Sequence, residues 1–262
     1  MMIDTHAHLY DERLAPDVQE IADNMSTDDI SQIIIIGCDR QSSESALALA
    51  EKFKDFYCSV GVHPHDAVHA KQDDYQYFES VANNNKLVAI GEIGLDYHYN
   101  FSPQAIQRRV LEQQIELAAS LKLPIIIHLR EAYDDMKAIL FQNQHYLRHG
   151  LVLHCYSGSI EFARECLKLD SVYFSFGGSI TFKNTDRESV VKSLPLDRLL
   201  LETDCPYMTP VPYRGKTNYP KYIKLVAQKL SEWLPNIDIS ELTSNNAHAL
   251  FKRLNQNNNQ VL

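Results

Sequence analysis

The feature that most constrains the fold is a series of eight short apolar runs, which recur roughly every 20 to 40 residues along the chain. Each is a continuous apolar stretch rather than a strict alternation, which is typical of strands buried on both faces of a parallel sheet. The runs are Met2–Thr5, Ile33–Gly37, Tyr57–Gly61, Leu87–Ile90, Ile125–His128, Leu151–His154, Val172–Phe176 and Leu199–Glu202. They predict eight parallel strands.

The segments between these runs have the periodicity of amphipathic helices. The predicted helices are Ser43–Phe53, Pro103–Leu121, Glu131–Phe141, Ile160–Leu169, Ser189–Leu194, Tyr219–Trp233 and Ser240–Arg253. Repeated strand–helix units favour a (β/α)8 TIM-type barrel. A doubly wound open sheet is the alternative. It usually has a glycine-rich loop after its first strand, whereas here the glycine-free sequence THAHLY occupies that place.

The chain has 262 residues, 45% of them hydrophobic, which is enough for one large core. We expect a single domain over residues 1–254 and a polar tail over residues 255–262. No segment reaches the ~18 consecutive apolar residues of a membrane helix, and the start of the chain lacks the basic head of a signal peptide. The five cysteines include no Cys-x-x-Cys pair, which fits a reducing compartment. A cytoplasmic protein with no membrane association is expected.

The formal net charge of −9 argues against a protein that coats long nucleic acid, because such binding depends on Lys and Arg neutralising phosphates. It does not exclude phosphate chemistry at one site, where a divalent metal supplies the positive charge. Any footprint on a nucleic acid strand is therefore expected to be small.

Side chains that bind metals follow most of the apolar runs. In a barrel the carboxyl ends of the strands meet on one face, so these side chains converge there. His6 and His8 stand two positions apart in a strand, which directs both imidazoles to the same side. The predicted metal ligands are His6, His8, Glu92, His128, His154 and Asp204. They are sufficient for two divalent ions, with Glu92 as a candidate bridge between them.

Each of these residues also has a simpler interpretation. A single histidine after a strand is often a hydrogen-bonded structural residue, and a lone carboxylate can cap a helix or form an ion pair. Their joint position at the ends of several strands favours metal binding. Asp4 and Glu202 are candidate supports for the ligands, and His65 and His98 lie on the same face.

Seven motifs, in order, resemble those of the TatD family of metal-dependent deoxyribonucleases, within the amidohydrolase superfamily. They are DTHAHLY, GVHPH, GEIGLDYH, IIHLR, HCYSG, ETDCPYMTPVPYRGKTNYP and NNAHALF, and they extend from Ile3 to about Phe251. The resemblance implies a (β/α)8 barrel whose divalent-metal ligands are the six residues named above. It also implies a DNA substrate, attacked from an end as a 3′–5′ exonuclease. The chain departs from the family pattern at Ile93, where threonine is more frequent, and around Thr217 and Tyr219.

Four further residues are candidate substrate contacts. Arg214 and Lys216 flank a glycine in a basic loop after the last strand, which suits an anionic group. His63 and Arg214 are expected to hold the scissile phosphate, and Tyr97 to stack on a base or sugar. A solvated loop and a packing tyrosine are the alternatives. Arg130 either joins these contacts or pairs with a neighbouring carboxylate.

These residues lead to the hypothesis of two-metal phosphodiester hydrolysis. Asp204 would orient a water molecule and take its proton, while Glu92 would hold the two ions together. The metal stays open among Mg²⁺, Mn²⁺ and Zn²⁺. The expected substrate is DNA, single-stranded or at its ends, and the expected oligomeric state is a monomer.

Two other functions stay open. An amidohydrolase acting on a small cyclic amide or ester would share the barrel. Many such enzymes have a carboxylated lysine on the fourth or fifth strand, where this chain has Glu92 and no lysine after IIIH. A metal-stabilised scaffold would saturate its metal with protein ligands, whereas a catalytic site keeps positions open for water.

Overall fold

The computed structural model describes residues 1–183 and 186–259, with side chains up to residue 255. Its strands are all parallel and pair in the order β1 to β8. They are β1 (Met2–Ala7), β2 (Ile30–Ile36), β3 (Phe56–Val60), β4 (Leu87–Asp96), β5 (Ile125–Arg130), β6 (Leu151–Leu153), β7 (Val172–Phe176) and β8 (Leu199–Leu201). Each predicted run corresponds to one strand, and β4 continues past its predicted end to Asp96.

The helices alternate with the strands. They are α1 (Val18–Asn24), α2 (Arg40–Lys52), α3 (Gln72–Ser80), α4 (Gln104–Leu121), α5 (Tyr133–Gln142), α6 (Ile160–Cys166), α7 (Glu188–Ser193), α8 (Ile223–Trp233) and α9 (Ile239–Leu250). The predicted set omitted α1 and α3. Within these two helices only Val18 and Phe78 are buried, so their apolar periodicity is too weak to recognise.

The sheet closes between β1 and the residues that follow β8. Ala7 forms a parallel bridge with Cys205. The N–H of Asp204 donates to the carbonyl of His6 at 2.9 Å, and the N–H of His8 donates to the carbonyl of Cys205 at 2.7 Å. The predicted (β/α)8 barrel is confirmed. Since the closing bonds involve the backbones of His6, His8 and Asp204, they also hold three predicted ligands in register.

The strand residues divide between two buried clusters. On β2, Ile33 and Ile35 belong to the cluster that includes the helices. Ile34 and Ile36 belong to a second cluster, which has a member from every strand. Because side chains from all eight strands meet in this second cluster, it lies inside the barrel. Phe251, just after α9, is part of it, so the carboxyl-terminal segment fills one end of the interior.

That segment closes the amino end of the barrel. The guanidinium of Arg253 donates at 2.6–3.1 Å to backbone carbonyl groups at and before the start of β4, those of Ala82, Asn84 and Leu87. The carbonyl of Leu254 accepts a bond of 3.0 Å from Nε2 of Gln32. A 3-10 helix over Lys252–Asn259 follows, and residues 260–262 of the predicted tail lie outside the described residues. The domain boundary at residue 254 stays a prediction.

Among the described helices, none is both long enough and apolar enough to span a membrane.

Candidate metal centre

The carboxyl end of the barrel contains a cluster of histidines around one buried carboxylate, that of Glu92. Its Oε1 lies 2.7 Å from Nδ1 of His128 and 2.7 Å from Nε2 of His154. Nε2 of His63 lies 3.7 Å from the same oxygen. The other oxygen, Oε2, lies 3.4 Å from Nε2 of His6. Oε1 of Glu92 therefore faces one group of imidazoles, those of His63, His128 and His154. Oε2 faces His6, which forms a second group with His8.

Asp204 adds a second carboxylate on the His6 side. Its Oδ1 lies 3.4 Å from Nε2 of His8 and 3.8 Å from Nε2 of His6. Asp204 has a φ of 57°, in the left-handed region that aspartate enters more readily than most residues. Asp4 holds the preceding residue, because its carboxylate accepts from the N–H of Thr203 at 2.9 Å and from its hydroxyl at 2.6 Å. Asp4 thereby positions the segment that carries Asp204.

The donor set fits a divalent cation. His6 is fully buried, and neither of its ring nitrogens has a hydrogen-bond partner in the described part of the chain. Buried polar atoms are rarely left in this state. Imidazole nitrogens and carboxylate oxygens are the ligands that Zn²⁺, Mn²⁺ and similar ions accept. A cation bound by Nε2 of His6, the nitrogen that faces Glu92 and Asp204, would satisfy one of the two atoms that the protein leaves unpaired.

Among the described residues, three groups of side chains have donor atoms within 4.8 Å of one another: His6 with His154 and Glu202, His6 with His8 and Glu92, and His63 with Glu92 and His128. Five of the six predicted ligands occur in these groups, and the sixth, Asp204, lies beside His8. His63 and Glu202 also occur in these groups. The sequence predicted a phosphate contact for His63 and a supporting role for Glu202. Nothing in the spacing of the sequence distinguishes these roles from metal ligation.

The charges within the cluster determine its protonation. Burial alone would raise the pKa of Glu92, but the surrounding imidazoles, with His154 first, hold it well below its usual value. Burial would likewise raise the pKa of Asp204, but the hydrogen bond from His8 and other nearby imidazoles lower it. Burial and the neighbouring His154 lower the pKa of His6. Two ionised carboxylates and a neutral His6 are the protonation states that bind a metal. Burial would lower the pKa of His154, but Glu92 raises it well above its usual value, so His154 would release a proton on binding a metal.

A second set of side chains, behind the candidate ligands, orients the imidazoles. Nε2 of His128 and Nε2 of His65 each lie 3.0 Å from Oδ2 of Asp96. Nδ1 of His8 lies 3.1 Å from the hydroxyl of Tyr10. Such contacts fix the tautomer and the orientation of a ligating histidine. Sequence reasoning misses this role of Asp96, and its only signal is a position at the end of the strand that carries Glu92.

Glu202 is fully buried beside His154. Its Oε1 accepts from the N–H of Cys155 at 2.7 Å and lies 3.6 Å from Nδ1 of His154. Its Oε2 has no hydrogen-bond partner among the residues that the structure describes. Glu202 therefore lies beside His154 without a hydrogen bond to it, and has one oxygen available to a cation.

Two glycines allow Glu92 to approach the neighbouring strand. A Cβ on Gly94 would lie 1.9 Å from the carbonyl oxygen of His128, and one on Gly91 would lie 2.6 Å from Cβ of Ile126. Any larger residue at either position would push β4 away from β5. The GEIG sequence thus explains how Glu92 comes within 2.7 Å of His128.

Tyr97, predicted as a substrate contact, has its hydroxyl engaged outside the histidine cluster. It donates to Oδ2 of Asp135 at 2.6 Å and accepts from Nη1 of Arg108 at 3.2 Å. Arg108 also donates to Asp135 at 2.7 Å. This network links the end of β4 to α4 and α5. A stacking role for Tyr97 stays a prediction.

The basic loop follows β8 and therefore lies on the same face of the barrel as the cluster. Arg214 and Lys216 are both exposed, and the guanidinium of Arg214 lies 3.9 Å from the ring centre of Phe182. Buried Asn218 anchors the end of the loop by donating to the carbonyl of Thr203 at 2.8 Å. The loop is thus fixed to the segment that carries Asp204, with both of its cations exposed.

Comparison with known proteins extends over nearly the whole chain. Residues 3–252 match the family described as TatD related DNase. An uncharacterized metal-dependent hydrolase of Bacillus subtilis, YabD, is 42% identical over 255 residues, which cover 96% of this chain and 99% of YabD. A 3′-5′ ssDNA/RNA exonuclease TatD of Edwardsiella piscicida is 32% identical over 260 residues, which cover 96% of this chain and 99% of that protein.

A solved structure shows the same architecture. The crystal structure of YJJV, a TatD homolog from Escherichia coli, superimposes with a TM-score of 0.90 at 29% sequence identity. The match covers 96% of this chain and 98% of that one. The similarity therefore includes the barrel and the strand ends that carry the cluster.

Proposed function

Because the chain belongs to the TatD related DNase family of metal-dependent hydrolases, we propose that it is a 3′–5′ exodeoxyribonuclease. Its substrate is DNA, single-stranded or at its ends. The name of the Edwardsiella piscicida relative specifies a 3′-5′ ssDNA/RNA exonuclease, which supports both the polarity and the unpaired substrate. RNA is the alternative substrate within this proposal.

The observation that carries the proposal is the position of Glu92 between two groups of imidazoles. Its Oε1 lies 2.7 Å from both His128 and His154, and its Oε2 faces His6. A carboxylate with one oxygen toward each group is suited to bridge two divalent ions, as two-metal phosphodiester hydrolysis requires.

The residues divide between the two ions according to these distances. His6, His8 and Asp204 would hold one ion, and His128 and His154 the other, with Glu92 shared. Mg²⁺, Mn²⁺ and Zn²⁺ all suit such nitrogen and oxygen donors. The orphaned nitrogens of His6 support this assignment, because a structural histidine would have found a protein partner.

The remaining chemistry belongs to the side chains around this centre. When bound, the ions neutralise charge on a phosphate and lower the pKa of water. Asp204, beside the ion that it would help to hold, orients the attacking water and accepts its proton. His63 and Arg214 hold the scissile phosphate, and Lys216 adds a second cation in the basic loop. Tyr97 is a further candidate for contact with a base or sugar.

A small footprint on the strand agrees with the charge of the chain. A net charge of −9 disfavours a long phosphate-binding groove, whereas the exposed Arg214 and Lys216 suffice for a strand end. All the ligands come from one chain, which supports action as a monomer. Its free cysteines support action in the cytoplasm.

The test is degradation of single-stranded DNA labelled at its 5′ end, in the presence of Mg²⁺ or Mn²⁺. The wild type is expected to shorten the strand progressively from the 3′ end. Asp204→Asn is expected to lower kcat by about 10²- to 10⁴-fold, because it removes the proton acceptor. Asp170→Asn is the matched control, since Asp170 is exposed just before β7 at the opposite end of the barrel.

Three outcomes would contradict the proposal. Activity that survives thorough chelation would exclude metal-dependent hydrolysis, and equal loss in the two variants would exclude a specific role for Asp204. No cleavage of DNA or RNA by the metal-loaded wild type would exclude the nuclease. Hydrolysis of cyclic amides or esters by that same sample would then favour the amidohydrolase.

A further inference from the structure

Two aromatic side chains that the proposed mechanism does not use stand exposed beside the metal centre. Tyr99 and Phe101 lie between β4 and α4, with 49% and 66% of their surfaces exposed. Phe101 has the largest exposed fraction of any large apolar residue in the described chain. Their rings stack on each other, with centres 5.3 Å apart and planes 15° from parallel. A stacked aromatic pair left open to water is typical of a binding surface.

Short contacts connect this pair to the metal centre. The ring of His65 packs edge-on against Tyr99 and Phe101, at centre distances of 5.5 Å and 4.8 Å. Nε2 of His65 lies 3.0 Å from Asp96, whose Oδ2 also lies 3.0 Å from His128. Only His65 and Asp96 therefore separate the aromatic pair from a candidate metal ligand.

The backbone around the pair is held in place. Oδ1 of Asp96 accepts from the N–H of His98 at 3.1 Å and from that of Tyr99 at 2.9 Å. On the other side, the hydroxyl of buried Ser102 donates to the carbonyl of His65 at 2.7 Å. The two rings are thus presented by an ordered turn, and a ligand would not have to order it.

The chemistry of the surface favours a nucleobase next to a phosphate. The guanidinium of Arg130 lies 4.7 Å from the ring centre of Tyr99, which places a cation beside the stack. Although Tyr99 stacks on Phe101 and His65 packs against it, 66% of the surface of Phe101 stays exposed. Flat aromatic faces with a nearby arginine are the usual surface for unpaired bases.

We propose that Tyr99 and Phe101 form a stacking platform for an unpaired base near the scissile phosphate, with Phe101 in direct contact and Tyr99 behind it. This proposal rests on the proposed nuclease function and makes it more specific. The platform selects single-stranded ends, because a base in a duplex has its faces covered by its neighbours. Arg130 binds the phosphate backbone beside the platform.

The experiment combines a variant with a modified substrate. Phe101→Ala is expected to raise KM for single-stranded DNA by about 5- to 100-fold with kcat nearly unchanged. An abasic unit, placed in turn at each position near the 3′ end, is expected at one position to raise KM of the wild type similarly. With the abasic unit at that position, Phe101→Ala is expected to cause no further rise in KM, because the two changes remove the same contact. Phe101→Trp is expected to keep wild-type KM.

The control is Leu196→Ala, which removes an exposed apolar side chain before β8, at the opposite end of the barrel. It is expected to leave KM and kcat unchanged. Equal KM for the wild type and Phe101→Ala would overturn the platform. So would a loss of the same size on intact and abasic strands at every position, since that would indicate a structural effect.

Equilibrium binding separates this proposal from the proposed function. Fluorescence anisotropy of labelled oligo(dT) is measured in the Asp204→Asn background, with and without Phe101→Ala. Binding that depends on Phe101, in a protein whose wild type cleaves no DNA, would support the platform and refute the nuclease. Cleavage without any dependence on Phe101 would refute only the platform. Self-association that Phe101→Ala abolishes, with DNA binding unchanged, would also refute it.

Discussion

The two ends of the barrel treat their buried polar groups differently. At the amino end the cation of Arg253 donates to several carbonyl groups at 2.6–3.1 Å, and the carbonyl of Leu254 accepts from Gln32. At the carboxyl end the imidazole of His6 is fully buried, yet neither ring nitrogen has a hydrogen-bond partner among the described residues. The amino end is closed mainly by protein groups, although Oε1 of Gln32 has no partner among the described residues, and the carboxyl end has several unpaired atoms available to a ligand.

This difference separates stability from chemistry within one fold. Parallel strands direct their carboxyl ends to one face, where loops can vary without disturbing the core, while the opposite face mainly holds the barrel together. Unpaired buried nitrogens at the carboxyl end reduce stability until a cation binds. We therefore expect substitutions at the carboxyl end to lower mainly activity, and substitutions at the amino end to lower mainly stability.

The largest loss of activity is expected from a substitution of Glu92, which lies in the middle of the metal centre. Glu92→Gln keeps the size of the side chain but removes the charge that faces both groups of imidazoles. We expect kcat/KM for single-stranded DNA to fall by about 10²- to 10⁴-fold. Addition of Mn²⁺ should raise the Tm of the wild type more than that of the variant, as thermal unfolding measured by circular dichroism would show. Retained activity together with an equal shift in Tm would refute the central role of Glu92.

At the amino end we expect a loss of stability without a loss of activity. Phe251→Ala removes a fully buried ring from the barrel interior and should lower the free energy of unfolding by about 3–5 kcal/mol. The kcat of the folded enzyme should be unchanged, because the ring lies at the end away from the metal centre. Urea denaturation measures the first quantity, and the exonuclease assay measures the second. A selective loss of kcat at full stability would remove the distinction between the two ends.

A smaller effect is expected at Asp96, which orients a ligand of the metal centre. Asp96→Asn removes the charge that accepts from His128 and His65 but keeps the shape of the side chain. Burial alone would raise the pKa of Asp96, yet hydrogen bonds from His128, the backbone of Tyr99 and His65 hold it below its usual value. The variant should bind metal about 10- to 100-fold more weakly, as measured by titration calorimetry with Mn²⁺. Unchanged affinity would mean that Asp96 serves the aromatic platform alone.

The parts of the site that follow strand ends could be predicted from the sequence. His6 and His8 share strand parity, and the register of the barrel brings Glu92, His128 and His154 around them. The helices α1 and α3 could not be predicted, because too few of their residues are apolar. The sequence singled out Tyr97 rather than its neighbours Tyr99 and Phe101, since all three are aromatic and only contacts distinguish them. The role of Asp96 was missed for a similar reason, because its partner His65 belongs to a different strand end.

The eight strands, the barrel and the face on which the histidines converge follow from the sequence alone, because each depends on local periodicity and on the parallel direction of the strands. Three features required the folded structure: which oxygen of Glu92 faces which imidazole, the approach of His63 and Glu202 to within ligand distance, and the exposure of Phe101 beside the site. These features depend on distances between side chains that are far apart in the chain. Such distances are set by the closure of the barrel and by the close approach of β4 to β5, which no single segment of the sequence encodes.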